Sequence, residues 1–278
     1  MEVHEQKPNE VRRMAYAGKL YPADPLELSE LVEQRIAASG RPQSAKGEVR
    51  AIVTPFAPAR LVAGPGIGAL RALNRHRYPT VVIVASAQEV MFDHASIFHG
   101  SAYETPLGRV FLDLELAKSL SELHPRVVMS ARGHTGGRQA EFVIESMLPW
   151  LQKLIGDFRL IPIVAGIDDA ELATGIGEVL AHPSLGNGLI VSCTQIDIDL
   201  ADGEQQARWQ RVEAAFAGLD FAVLRDRLAH FAFPGSAAWL ALTYAGRRRG
   251  WKRIVPMSLQ GEEEVPTGAC LSYVVMGN

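Results

Sequence analysis

The sequence predicts an α/β fold of the three-layer αβα kind, built on a mainly parallel sheet. Two observations carry this. Runs such as Thr80-Val-Val-Ile-Val-Ala85 and Leu160-Ile-Pro-Ile-Val-Ala165 are continuously apolar and rich in β-branched residues, the pattern of strands buried on both faces. Between such runs the chain repeatedly returns to helical spacing, and alternating strands and helices are how parallel neighbours are connected. With 47% hydrophobic residues among 278, the chain can fill one large core, so a single domain over residues 1–278 is expected. Its first 13 residues form a polar lead-in.

The elements follow in order. Ala17-Gly-Lys-Leu-Tyr-Pro22 is turn-rich. Asp24 suits an N-cap and Pro25 the first helical position, and Leu28, Leu31, Val32 and Ile36 form one stripe of the helix that follows. Residues 40–47 read as a linker. Val49 to Thr54 is the first buried strand, and a glycine-started helix is expected within Leu61 to Leu70. Thr80–Ala85 is the second core strand. Ala95–Phe98 and Val110–Leu112, around Tyr103-Glu-Thr-Pro-Leu-Gly108, suggest short antiparallel additions. A helix over 114–123 and a strand over 126–129 precede a polar, glycine-rich loop at 131–137. Glu141 to Ile155 is helical, with Pro149 expected to bend or restart it. After the strand at 160–165, Asp168 is the cap candidate for a helix to Leu180, and Gly188–Ser192 is the next strand. Helical tracts cover 204–216, 221–230 and, with Ser236 as cap candidate, 236–248. Strands at 253–258 and 270–276 close the chain.

Composition excludes several classes of partner and compartment. Net charge is −3 with both signs scattered, so no concentrated basic face for nucleic acid is expected. The densest basic run, Arg247-Arg248-Arg249, reads as a helix C-terminus, where cations complement the helix dipole. Cys193 and Cys270 lie in apolar strand-like contexts without metal-type spacing, and Cys193 reads as a small core residue. The polar start does not read as a signal peptide and no run is long enough to span a membrane. A cytoplasmic protein is the expectation. Gly64-Pro-Gly-Ile-Gly68 lacks the Lys-Ser/Thr of a phosphate-binding loop.

An ordered set of segments resembles the Memo family, the B component of the bacterial AmmeMemoRadiSam system. The set runs from Ala17–Pro22, Ala51-Ile-Val-Thr-Pro55 and Val81-Val-Ile-Val through Tyr103–Gly108, Ile144-Glu145 and Leu148-Pro149-Trp150. It continues with Leu160–Val164, Val191-Ser192 and Ser272-Tyr273. The resemblance implies the fold of the class III extradiol ring-cleaving dioxygenases, with a metal held by histidines at the carboxyl ends of strands.

Departures from the family pattern fall on that pocket. The family's Pro-His-Ala-Gly becomes Pro55-Phe56-Ala57-Pro58, and its Gly-Pro-Ser-His-His becomes Ala85-Ser-Ala-Gln88-Glu89. Glu-His-Ser-Ile-Glu-Met-His becomes Glu141-Phe142-Val-Ile-Glu145-Ser-Met147. Ser-Asp-Leu-Ser-His becomes Cys193-Thr194-Gln-Ile-Asp197, and the family's cysteine position falls on His230. A facial-triad iron site needs two histidines and a carboxylate, so no metal and no cofactor are expected.

Glu89 in an apolar pocket beside Phe56 could work as an acid or base, or stand solvated in its loop. Gln88 could turn inward as a neutral hydrogen-bonding group. His230 could share a site with Glu145 or Asp197, or be a histidine satisfied by backbone; Glu145 could equally form a salt bridge. Phe56, Gln88, Phe142, Met147, Thr194 and Asp197 are the expected pocket residues. The leading expectation is a divergent, metal-free Memo-like binding or scaffold protein, or a silent subunit beside an active homologue. Self-association and a small-molecule ligand are compatible with it. One alternative is an enzyme with a rebuilt metal-independent pocket using Glu89, Glu145 and His230. Its aromatic-lined cleft (Phe56, Phe142, Trp150) would accept a small aromatic or heterocyclic substrate. The other alternative is a non-haem iron extradiol-type dioxygenase.

Overall fold

A computed structural model describes residues 10–38, 48–55, 68–73, 78–88, 91–135, 140–194, 202–256 and 273–277. Within them β2 (Val49–Pro55), β9 (Leu189–Thr194), β3 (Thr80–Ser86) and β8 (Arg159–Ala165) lie side by side and parallel, forming the centre of an eight-stranded sheet. β11 (Tyr273–Met276) and β10 (Arg253–Pro256) extend one edge antiparallel. On the other edge β4 (Ala95–Ile97) runs antiparallel to β8 and β7 (Val127–Met129) runs parallel to β4. β1 (Val11–Arg12), β5 (Ala102–Thr105) and β6 (Gly108–Phe111) form a separate three-stranded sheet in which β5 and β6 make a hairpin. The antiparallel additions expected around Tyr103 are therefore split between two sheets.

Strand periodicity sorts the core into two layers. Ala51, Val53, Val82, Val84, Ile161, Ile163 and Ile190 face α4 (Ala170–Ala181), α5 (Gly203–Ala217), α6 (Phe221–Leu228) and α7 (Ser236–Arg248). Their sequence neighbours Ile52, Val81, Ile83, Leu160, Val164, Leu189 and Val191 face α1 (Pro25–Ala38) and α3 (Val143–Ile155). Helices on both faces explain why the central strands show no polar alternation. α2 (Leu114–Ser121) is capped by Asp113, and Asp24 bonds the amides of Leu26 and Glu27 as expected of the cap of α1.

Three local expectations are corrected. Pro149 sits inside α3 without ending it, because tertiary packing holds a helix whose face is buried from Val143 to Leu151. Asp169, not Asp168, caps α4, its carboxylate accepting from the Leu172 amide at 2.6 Å. Ser236 is not a cap: α7 starts from Gly235, at φ +100, with no side-chain cap. Near the glycine-rich stretch the described residues form only a 3₁₀ turn, Leu70–Ala72; Gly64–Ile67 lie outside them.

α7 is anchored by Trp239. Its ring lies 4.2 Å from that of Phe216 and 5.3 Å from those of Trp209 and Tyr273, centroid to centroid. The basic run ends α7 as expected. The Arg249 guanidinium bonds the carbonyl oxygens of Leu180 and Leu185, satisfying backbone that α4 and its following turn leave open.

Candidate functional site

The carboxyl ends of β2, β9, β3 and β8 meet at one edge of the sheet, the place where ligands bind in open α/β folds. Alternation puts Ser86, Ser192 and Thr194 on the side facing α7, whereas Thr54 follows Ile52 to the α3 side. All four are buried. Among the described residues the hydroxyls of Ser192 and Thr194 have no hydrogen-bond partner. An unpaired buried hydroxyl costs about 1–3 kcal/mol, so these two groups are poised to accept or donate to something placed at the strand ends.

Asp168 organises this edge. Its Oδ1 accepts from the Ser86 hydroxyl at 3.0 Å and the Ala237 amide at 2.9 Å, and its Oδ2 takes a longer 3.4 Å bond from the Gly235 amide. One carboxylate thereby ties the end of β3 to the beginning of α7. Burial pushes its pKa above the ordinary carboxylate value, and the three hydrogen bonds oppose that rise. Gly235 lies so close to β9 that an added Cβ would be 2.8 Å from Thr194 Cγ2 and 3.0 Å from the Cys193 carbonyl. Its positive φ makes the same demand for glycine. Neither role was read from the sequence. The doublet Asp168-Asp169 after a buried strand was the available signal, since one helix needs only one cap.

The expected site residues that are described fall in different places. Phe56, Glu89 and Asp197 lie outside the described residues. Gln88 stands at the end of β3, its amide donating to the Ser86 carbonyl at 2.9 Å. Thr194 is at the site. Phe142 precedes α3 and packs edge-on against Tyr16 at 5.6 Å, while Met147 and Trp150 are buried in the α3-side core. His230 is exposed in the turn after α6, on the α7 side. Glu145 is on α3, with the sheet between them, so the two cannot share a proton.

Glu145 instead anchors a buried network. Arg12 pairs with it, and the amides of Ala15 and Tyr16 and the Tyr21 hydroxyl also donate to its carboxylate. Burial would lower the Arg12 pKa, but Glu141, Tyr103 and Glu145 outweigh it and hold the guanidinium above its ordinary value. Arg12 Nε donates to the His134 carbonyl at 3.0 Å. The His134 ring fits between the Ser96 carbonyl, 2.9 Å from Nε2, and the Tyr103 hydroxyl, 2.6 Å from Nδ1. A carbonyl can only accept, so Nε2 carries the proton and Nδ1 accepts from Tyr103. Burial depresses this imidazole to about 3 and raises Glu141 to about 7. The salt-bridge alternative for Glu145 is the one the geometry supports. Cys193 is buried, and burial drives its thiol pKa up, which suits packing and not nucleophilic attack.

A family model for Memo-like proteins matches residues 12–192. The chain belongs to the Memo-like family. Relatives include MEMO1 family proteins of Thermoplasma volcanium, 27% identical over 187 residues, and of Pyrococcus furiosus, 28% identical over 191. The first alignment covers 66% of this chain and 65% of the relative, the second 65% and 62%. The matched region thus spans just under two thirds of these relatives' own length. In fold, the chain is similar to the crystal structure of an uncharacterized Escherichia coli K12 protein, JW3007. The TM-score is 0.52 at 16% identity, covering 83% of this chain and all of that one. The match ends at Ser192, so the Arg12 network lies inside the family region and α5 to α7 beyond it. Among the described residues no helix is long and apolar enough to cross a membrane.

The Memo resemblance implies a metal at the strand ends, and among the described residues no group of three or more His, Cys, Asp or Glu is placed to hold one. Thr54, Ser86, Thr194 and Gln88 offer neutral hydroxyls and an amide, and Asp168 already serves three donors. First-row metals of this kind are held by imidazole, thiolate and carboxylate. Both His134 ring nitrogens are occupied inside the Arg12 network, and His124 and His182 serve local turns; among the described residues His94 Nε2 and His99 Nδ1 are buried without a partner.

Proposed function

We propose that this Memo-like protein binds a small neutral or weakly polar ligand at its strand-end site without metal-dependent oxygen chemistry. It would act as a binding or scaffold protein, or as the silent subunit of a complex with an active homologue. The observation that carries this reading is the pair of hydroxyls, Ser192 and Thr194, that have no partner among the described residues where the resemblance leads one to expect metal ligands. Hydroxyls and an amide can orient a ligand by hydrogen bonds but cannot by themselves activate dioxygen. Phe56, Glu89 and Asp197 adjoin these strand ends in sequence and lie outside the described residues.

Elemental analysis of the purified chain, after exposure to iron, copper and zinc in turn, tests the metal-free reading. Retained metal well below one ion per chain is expected. A stoichiometric metal that Thr194→Val or Phe56→Ala displaces would overturn it. Co-expression with an intact Memo homologue tests the subunit reading: a mixed complex on size exclusion is expected, and separate elution of the two chains overturns that part.

A further inference from the structure

A cleft of about 410 Å³ opens where the start of α4 meets α6 and the start of α7. It lies beside the strand-end site, sharing only Asp168 and the first residues of α7 with it. Most of its wall comes from beyond Ser192, in the part of the chain that the family match does not reach. Its volume is within the range of small-molecule sites, about 300–1,000 Å³.

We propose that this cleft binds a small amino-acid-like zwitterion with an apolar side chain. Leu228, Ala229, Ala237 and Leu240 supply an apolar surface. Asp226 and Arg225 border it with opposite charges, and among the described residues neither side chain has an ion-pair partner. Asp169, by contrast, is committed to Arg126 at 2.7 Å and to the cap of α4. Asp168 has one oxygen held only by the 3.4 Å contact from Gly235, leaving it room to accept another donor. An ammonium group between Asp168 and Asp226, a carboxylate on Arg225 and Ser236, and a branched aliphatic chain over Leu228 and Leu240 satisfy every group. A ligand of single charge would leave one of the two rim charges unanswered. The inference does not depend on the strand-end reading, because the groups that discriminate the ligand, Arg225 and Asp226, take no part in that site.

Leucine is the probe, titrated into the full chain and followed by heteronuclear NMR. We expect saturable shifts confined to α4, α6 and α7, with a Kd of about 1 mM or tighter. Asp226→Asn and Arg225→Gln each weaken binding about tenfold or more, since charge-assisted bonds carry the recognition. Isoamylamine and isocaproate, lacking one charge each, bind correspondingly more weakly than leucine. Ala229→Phe, at an exposed position on the wall, fills the cleft and abolishes binding while the melting temperature is retained. No leucine-dependent shifts at about 10 mM overturns the proposal. So does binding that Asp226→Asn, Arg225→Gln and Ala229→Phe all leave intact, or isoamylamine binding as tightly as leucine.

Discussion

Arg12 and Glu145, 133 positions apart in the chain, pair with their side chains 1% and 0% exposed. This pair ties the N-terminal segment to α3, and the same carboxylate holds Tyr21 and the amides of Ala15 and Tyr16. Removing one partner leaves a buried charge uncompensated. Arg12→Met or Glu145→Leu is expected to destabilise the chain by about 3–5 kcal/mol in urea unfolding. The double substitution should recover part of that, since it removes both charges of the pair while still stranding Glu141, the Tyr21 hydroxyl and the amides of Ala15 and Tyr16. A double variant no more stable than either single one would refute the pairing as the source of the cost.

The neighbouring groups give a pH signature. Glu141 rises to about 7 from an ordinary 4.5, mainly through burial, so the folded chain holds its proton more tightly than the unfolded one. Its contribution is full below 4.5 and is lost as pH rises through about 7. His134 runs the other way. Depressed by burial to about 3 from 6.5, it favours folding above 6.5, and that contribution disappears as pH falls toward 3. Glu141→Gln keeps an acceptor for the Ile144 amide but removes one slope. Its stability relative to the parent should rise between pH 4.5 and 7, by on the order of 1–3 kcal/mol. Parallel stability curves for the two proteins would contradict the assignment.

Gly235 is the hinge on which α7 meets β9. Gly235→Ala places a methyl against Thr194 and the Cys193 carbonyl and forces a side chain onto a positive φ. A loss of about 1–3 kcal/mol is expected. Gly203, where an added Cβ meets nothing within 4 Å, is the control. Gly203→Ala should be neutral or slightly stabilising by thermal melting. Equal losses at both positions would sink the close-approach argument.

Asp168 should matter more than a helix cap would. Asp168→Ala removes the shared acceptor of Ser86, Gly235 and Ala237 and is expected to cost about 2–3 kcal/mol. Asp168→Asn, which keeps one carbonyl oxygen, should recover part of this. Amide hydrogen exchange is the direct readout: the Ala237 amide should lose protection in Asp168→Ala and retain some in Asp168→Asn. Unchanged protection in both would show that Asp168 does not hold α7.

The frame was legible in the sequence because it depends on local pattern. Continuous β-branched runs gave β3 and β8, cap residues gave the start of α1, and the ordered Memo-like segments identified the family. Where long-range contacts decide, local signals misled. Pro149 reads as a bend or restart but does not restart the helix, which runs through it buried along most of its length, and Asp168 reads as a cap but reaches across to another strand and helix. Glu145 and His230 looked like partners when only their family positions were compared. The sheet lies between them.

By itself, then, the sequence determined the αβα architecture and the family. Hydrophobic periodicity and residue identity are written along the chain, so these needed nothing more. Tertiary structure alone decided that Glu145 belongs to a buried ion pair and that Ser192 and Thr194 have hydroxyls without a partner among the described residues. It also placed α6 and α7 so that a mixed-charge cleft forms against α4. Each of these is a meeting of side chains from segments far apart in sequence, and the free energy of such a meeting belongs to burial and geometry that no local pattern encodes.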